Sequence, residues 1–172
     1  MAHELETDRL LLSQVSEVNR EGFISLISNK EVIKFCFNSL DQEECESSFE
    51  SRNEPWDTSK SHWLALAVTN RKTKEFIGVN GFRNTINDKE VEVGFMFEPK
   101  CYGQGFATES LVSVRDYAFE LGYSSIIADV TEPNVASSKV LIKCGFVEIE
   151  RKHDSVLIGS NKYTNIKYMH KA

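Results

Sequence analysis

Long apolar runs are missing from these 172 residues, and nothing approaches the roughly 20 consecutive apolar residues that a membrane-spanning helix needs. The first residues, Met1 to Glu6, have neither the basic region nor the apolar core of a secretion signal. These absences predict a soluble, cytoplasmic protein with no membrane partner. Only three prolines occur, and no Pro- or Ser-rich linker, internal repeat or low-complexity segment breaks the chain, so a single domain over 1–172 is expected. Positive charge is in deficit. A formal net charge of −6 argues against nucleic-acid partners and mildly favours cationic ones. Cys36, Cys45, Cys101 and Cys144 show no CxxC spacing and no nearby His pair, so buried or half-buried thiols are expected rather than a disulfide framework or a metal site. His3, His62, His153 and His170 are scattered and read as surface or structural residues.

What is present is a chain 41% hydrophobic, enough for one sizeable core. Its centre is a strand, a glycine-bearing turn and a helix. Val91, Val93, Phe95 and Phe97 alternate on one side of a strand. Glu98-Pro99-Lys100 and the turn Tyr102-Gly103-Gln104-Gly105 follow. Ala107, Leu111, Val114, Ala118 and Leu121 then recur at helical spacing. The first amides of a helix lack intrahelical partners, and glycines let a bulky anion approach the backbone. The turn with Gly103 and Gly105 therefore reads either as a plain tight turn, the commoner case, or as a phosphate or pyrophosphate cradle built from main-chain amides. It is neither a P-loop, since no Lys-Ser/Thr follows the second glycine, nor a GxGxxG fingerprint.

The rest of the chain supplies a frame. Strands are predicted at Leu10–Val15, Trp63–Val68, Glu75–Phe82, Ser125–Val130, Val147–His153 and Tyr163–Met169. Asn19 is expected to cap a helix carrying Phe23, Ile24 and Ile27, and Glu31 to Phe37 to form a short helix or turn. Asp41 and Glu44 form a capping box for a helix to about Arg52 with Cys45 and Phe49 inward. Between Asp41 and Asp57 seven residues are acidic and one is basic. This stretch reads as a solvated helix face or, alternatively, as a lip that attracts a cationic amine.

Five segments in order, ETDRLLL, EVGFMF, YGQGFATES, YAFELGYSSI and EPNVASSKVLIKCGF, resemble the GNAT superfamily of acetyl-coenzyme A-dependent N-acetyltransferases, and within it the RimJ/RimL-like branch. The resemblance covers nearly the whole chain. It implies a GNAT fold of the α+β, mixed α/β kind: a single, mostly antiparallel mixed sheet of about six or seven strands with helices on both faces. The strands Glu92–Phe97 and Ser125–Val130 should be parallel neighbours that splay apart into the cofactor cleft.

The implied activity is transfer of an acetyl group from acetyl-coenzyme A to an amine, by direct attack in a ternary complex. The alternative is a non-catalytic coenzyme A-binding sensor or scaffold. By this resemblance Tyr102, Gly103, Gln104, Gly105, Phe106, Ala107 and Thr108 hold the coenzyme A pyrophosphate. The strand with Phe95, Met96 and Phe97 pairs with the pantetheine arm, and Asn134 bonds that arm or fixes its loop. Main-chain amides around Met96 or Phe97 would steady the oxyanion. Glu92 is the implied base and Ser137 the implied acid and a further cofactor contact. Two positions depart from the common pattern: Tyr102 stands where the superfamily often has Gln or Arg, and Leu141 where many members carry a Tyr acid. The implied acceptors are a protein N-terminus, such as that of a ribosomal protein, or a small cationic amine such as a polyamine. No metal is implied, and the family includes both monomers and homodimers. Arg9, in the opening TDRLLL, has an implied structural role only.

Overall fold

In the computed structural model, which describes residues 3–172, alternating apolar residues build one twisted sheet. Its eight strands are β1 (Glu4–Glu6), β2 (Leu10–Gln14), β3 (Leu64–Asn70), β4 (Phe76–Asn84), β5 (Glu90–Phe97), β6 (Ser125–Thr131), β7 (Val147–Ile158) and β8 (Asn161–Lys171). Their spatial order is β1-β2-β3-β4-β5-β6-β8-β7. All neighbours are antiparallel except β5 and β6. The mixed sheet expected of a GNAT fold is present, with eight strands in place of six or seven. The extra one, β1, is only three residues long, too short to show an alternating pattern, and exists by pairing Leu5 with Leu12 of β2.

Helices cover both faces. On one side α4 (Phe106–Glu120) and α5 (Val135–Lys143) meet a core that includes Leu111, Val114, Ala118, Leu141, Phe97 and Val130. On the other, α1 (Arg20–Ser28), α2 (Lys30–Ile33) and α3 (Gln42–Asn53) bury Phe23, Ile27, Ile33, Cys45 and Phe49. The Asp41–Glu44 capping box forms as expected, each residue bonding the other's amide at 2.8 Å. Asn19 does not cap α1 with its side chain; its Oδ1 accepts from the Ser16 amide and closes a 3-10 turn just before the helix. No helix among the described residues is long and apolar enough to cross a membrane.

The feature that positions the site is a seam. β5 and β6 are joined through the crossover helix α4, and so run parallel. They pair only at Glu90–Ser125, Val91–Ile126 and Glu92–Ile127. Beyond Glu92 the strands part, β5 following β4 to Phe97 and β6 following β8 to Thr131.

Candidate active site

The parted strands leave backbone groups facing an open gap. The Glu98 amide donates to the Ile77 carbonyl of β4 at 2.9 Å. Main-chain groups alternate sides along an extended strand, so Met96 and Gly94 point toward β4 as Glu98 does. Val93, Phe95 and Phe97 point into the gap. Of the two amides expected to steady an oxyanion, that of Phe97 faces the gap and that of Met96 faces β4.

At the end of β5 the chain makes a 3-10 turn, Pro99–Cys101, and enters the glycine turn. Gly103 and Gly105 have φ of +73° and +81°, a region that side chains disfavour. Gly105 takes the N-cap position of α4 without supplying a side-chain acceptor. Among the described residues no acceptor takes the amides of Gly103, Gln104, Gly105, Phe106, Ala107 or Thr108; the next amide, Glu109, returns to the Gly105 carbonyl at 3.0 Å. Six consecutive amides without acceptors among the described residues, at a helix N-terminus, give the turn the chemistry to receive an anion. Tyr102 projects outward, half exposed, and burial pushes its hydroxyl pKa up. Burial likewise pushes the Cys101 thiol pKa up, the opposite of what a nucleophile needs.

Arg9 holds this turn in place. Its Nη1 donates to the Gln104 carbonyl at 2.9 Å, its Nε to Glu109 Oε2 at 2.6 Å, and its guanidinium lies 4.5 Å from the centre of the Phe106 ring. Glu109 Oε1 also accepts from the Thr7 hydroxyl at 2.6 Å and the Arg9 amide at 2.9 Å. Burial alone would raise the Glu109 pKa; these bonds outweigh it and hold the carboxyl below its ordinary value. The bonds to a depressed carboxylate are complete above the unfolded carboxyl pKa of about 4.3 and are lost as pH falls through the folded one. Glu109→Gln should thus be less stable than wild type by about 1–2 kcal/mol near neutral pH, allowing for solvent on the half-exposed Arg9. Denaturant titration should show that difference constant from pH 6 to 8 and closing below about pH 4. A pH-independent difference would assign the loss to packing.

Behind the gap a cavity of about 430 Å³ passes through the split sheet. Glu92, Phe95, Met96, Asn134 and Ser137 line it together; Phe97 and the glycine turn do not. The Phe97 side chain is in the core, and only its backbone faces the gap. Asn134 caps α5, its Oδ1 accepting from the Ser137 amide at 3.4 Å. Glu92 is paired with Arg83, its cross-strand partner, whose Nε and Nη2 donate to Oε2 at 2.8 and 2.7 Å. Oε1 receives no bond among the described residues.

Several cavity residues were not singled out from the sequence. Trp63 packs against Gly94, where an added Cβ would meet the indole at 3.0 Å, and the Arg83 guanidinium stands 5.1 Å from the Trp63 ring centre. A glycine inside a strand is the one signal that marked this close approach. Phe35, Cys36 and Phe37 roof the cavity, tied down by the Thr131 hydroxyl donating to the Phe35 carbonyl at 2.7 Å. From α3 the cavity receives Ser48 and Arg52. Several acidic side chains of that stretch are engaged elsewhere, Glu46 and Glu50 on Arg20, Glu44 on its own cap, and Asp57 on Ser59, while Glu43 borders an open groove with Asp41, Glu44 and Arg52.

Residues 9–147 match the family described as "Acetyltransferase (GNAT) domain". The chain is 32% identical over 146 residues to the "Uncharacterized N-acetyltransferase YoaA" of Bacillus subtilis (strain 168), covering 83% of this chain and 81% of that protein. Among solved structures, "RimL- Ribosomal L7/L12 alpha-N-protein acetyltransferase" superposes with a TM-score of 0.85 at 17% identity, over 100% of this chain and 96% of the other. The spermidine N-acetyltransferase from Vibrio cholerae in complex with CoA and spermine does so with a TM-score of 0.82 at 19% identity, over 96% of both.

Proposed function

Because the chain belongs to the GNAT acetyltransferase family and is an acetyl-CoA-dependent acetyltransferase, we propose that it moves the acetyl group to an amine by direct attack in a ternary complex, in the manner of the RimJ/RimL-like branch. One observation carries this reading: six unpartnered amides stand at the mouth of a gap whose far end holds a carboxylate. The amides of Gly103 to Thr108 fit the pyrophosphate, and the free edge of Val93 to Phe97 fits the amide-bearing pantetheine arm as an added strand. Glu92 Oε1 accepts the amine proton, directly or through one water, as the nitrogen attacks the thioester carbonyl. The Phe97 amide faces the oxygen that gains charge. Ser137 or water returns a proton to the departing sulfur.

The structural neighbours named above act on a protein α-amine and on a polyamine, and both acceptor types are carried into the proposal. Four free cysteines fit a reducing compartment, the cytoplasm.

Incubation with acetyl-coenzyme A and a panel of amines, following free thiol, tests the reading. Thiol release that requires the amine and equals the acetylated product is expected. Tight coenzyme A binding with no amine-dependent release would instead support a sensor or scaffold.

A further inference from the structure

Seven arginines occur in the chain, and six of them hold a carboxylate: Arg9, Arg20, Arg71, Arg83, Arg115 and Arg151. Arg52 holds none among the described residues. It stands half-buried on the last turn of α3 and lines the cavity, whose walls include Phe23, Phe35, Phe37 and Trp63. A cation at a helix C-terminus is favoured by the dipole, which explains an arginine there. It does not explain a half-buried arginine that lines an aromatic cavity with no ion-pair partner among the described residues, where desolvation is costly. Burial, with the like charge of Arg83 nearby, pulls the Arg52 pKa down. The cavity's own carboxylates are already engaged, Glu92 by Arg83 and Asp129 by Asn165, whose Nδ2 donates to Oδ1 at 2.7 Å.

We propose that Arg52 determines acceptor specificity, and that the preferred amine carries a carboxylate a short chain away from the reacting nitrogen. This rests on the amine-acetylating reading above. The carboxylate supplies the missing counterion while the nitrogen lies near Glu92. A polyamine fits poorly, because its second ammonium meets Arg52 and Arg83 rather than a free carboxylate. Two sources share the chemistry: the α-carboxylate of a free amino acid, and an acidic side chain next to a peptide N-terminus.

The test compares alanine with alaninamide, amidated Ala-Glu with amidated Ala-Lys, and spermidine, in wild type, Arg52→Lys and Arg52→Glu. Turnover gives kcat/KM, and calorimetry on the coenzyme A-loaded protein gives acceptor affinity without turnover. Alanine leading its amide points to the α-carboxylate, and Ala-Glu leading Ala-Lys points to the side chain. In the wild type the carboxylate-bearing member of at least one pair should lead by about 10-fold or more, the scale of one hydrogen bond to a charged group. Arg52→Glu should cost that acceptor roughly 10–100-fold and favour the cationic amines, with coenzyme A affinity unchanged. Arg52→Lys should keep the order of preference. A wild type that favours spermidine, or a folded Arg52→Glu protein with unaltered ratios, would overturn the inference. Turnover without preference would refute the Arg52 assignment and sustain the transferase reading. A binding preference without turnover would do the reverse.

Discussion

Gly105→Val should bind coenzyme A about 100-fold more weakly or worse, the loss of one or two hydrogen bonds to a charged phosphate. Two effects act together. The φ of +81° is strained for any β-branched residue. A Cβ there would also stand 3.4 Å from Arg9 Nη2, against the side chain that holds the turn, and so would disturb the amides proposed to meet the phosphate. Calorimetry of the folded variant, with far-UV circular dichroism as the control for folding, is the measurement. Affinity equal to wild type would place the pyrophosphate somewhere other than the turn.

Glu92→Gln should lower kcat by roughly 10²–10⁴, the span of general-base catalysis. Coenzyme A affinity should hardly change, because main-chain amides rather than this carboxylate are assigned to the cofactor. The defect should shrink as pH rises. A peptide α-amine, with a reference pKa near 7.7–8.0, should recover sooner than a lysine-like amine near 10.4, since more of it is already neutral. The Arg83 ion pair adds a control. Arg83→Gln removes the partner and leaves the carboxylate, so it should disturb kcat less than Glu92→Gln does. Wild-type kcat in Glu92→Gln from pH 6 to 9, measured on both amine types, would leave proximity and the Phe97 amide as the working parts.

The sequence carried the frame well, for physical reasons. Strands buried on one face alternate, and an amphipathic helix repeats at three and four. The strand–turn–helix centred on Gly103 and Gly105 and the parallel pair beyond it were both legible. The Asp41 capping box was legible because both its bonds lie within four residues. Asn19 misled because two acceptable cap sites lie three residues apart, and its side chain turned back to Ser16. β1 was invisible because three residues have no period. The cofactor half of the candidate site could be read locally. The acceptor half could not, since Arg52, Trp63, Arg83 and the Phe35–Phe37 roof come from separate elements and meet only in the folded protein. Arg83 opposite Glu92 was the most accessible of these, as an opposite-charge pair in facing strands.

The strand order also bears on how the protein comes together. β1 to β5 lie side by side in chain order, each strand pairing with the strand made just before it. β6 is different: its second edge is filled by β8, not by β7. Until β8 slots between them, Ile126, Ile127, Ala128 and Val130 form an apolar strand with an open hydrogen-bonding edge, the kind of surface that recruits other chains. Such non-local pairing is slow, so the exposure lasts. Asp129 sits in the middle of that run, exposed and charged. A carboxylate there disfavours stacking of identical strands, and so guards the assembly of the same cleft whose wall it later forms.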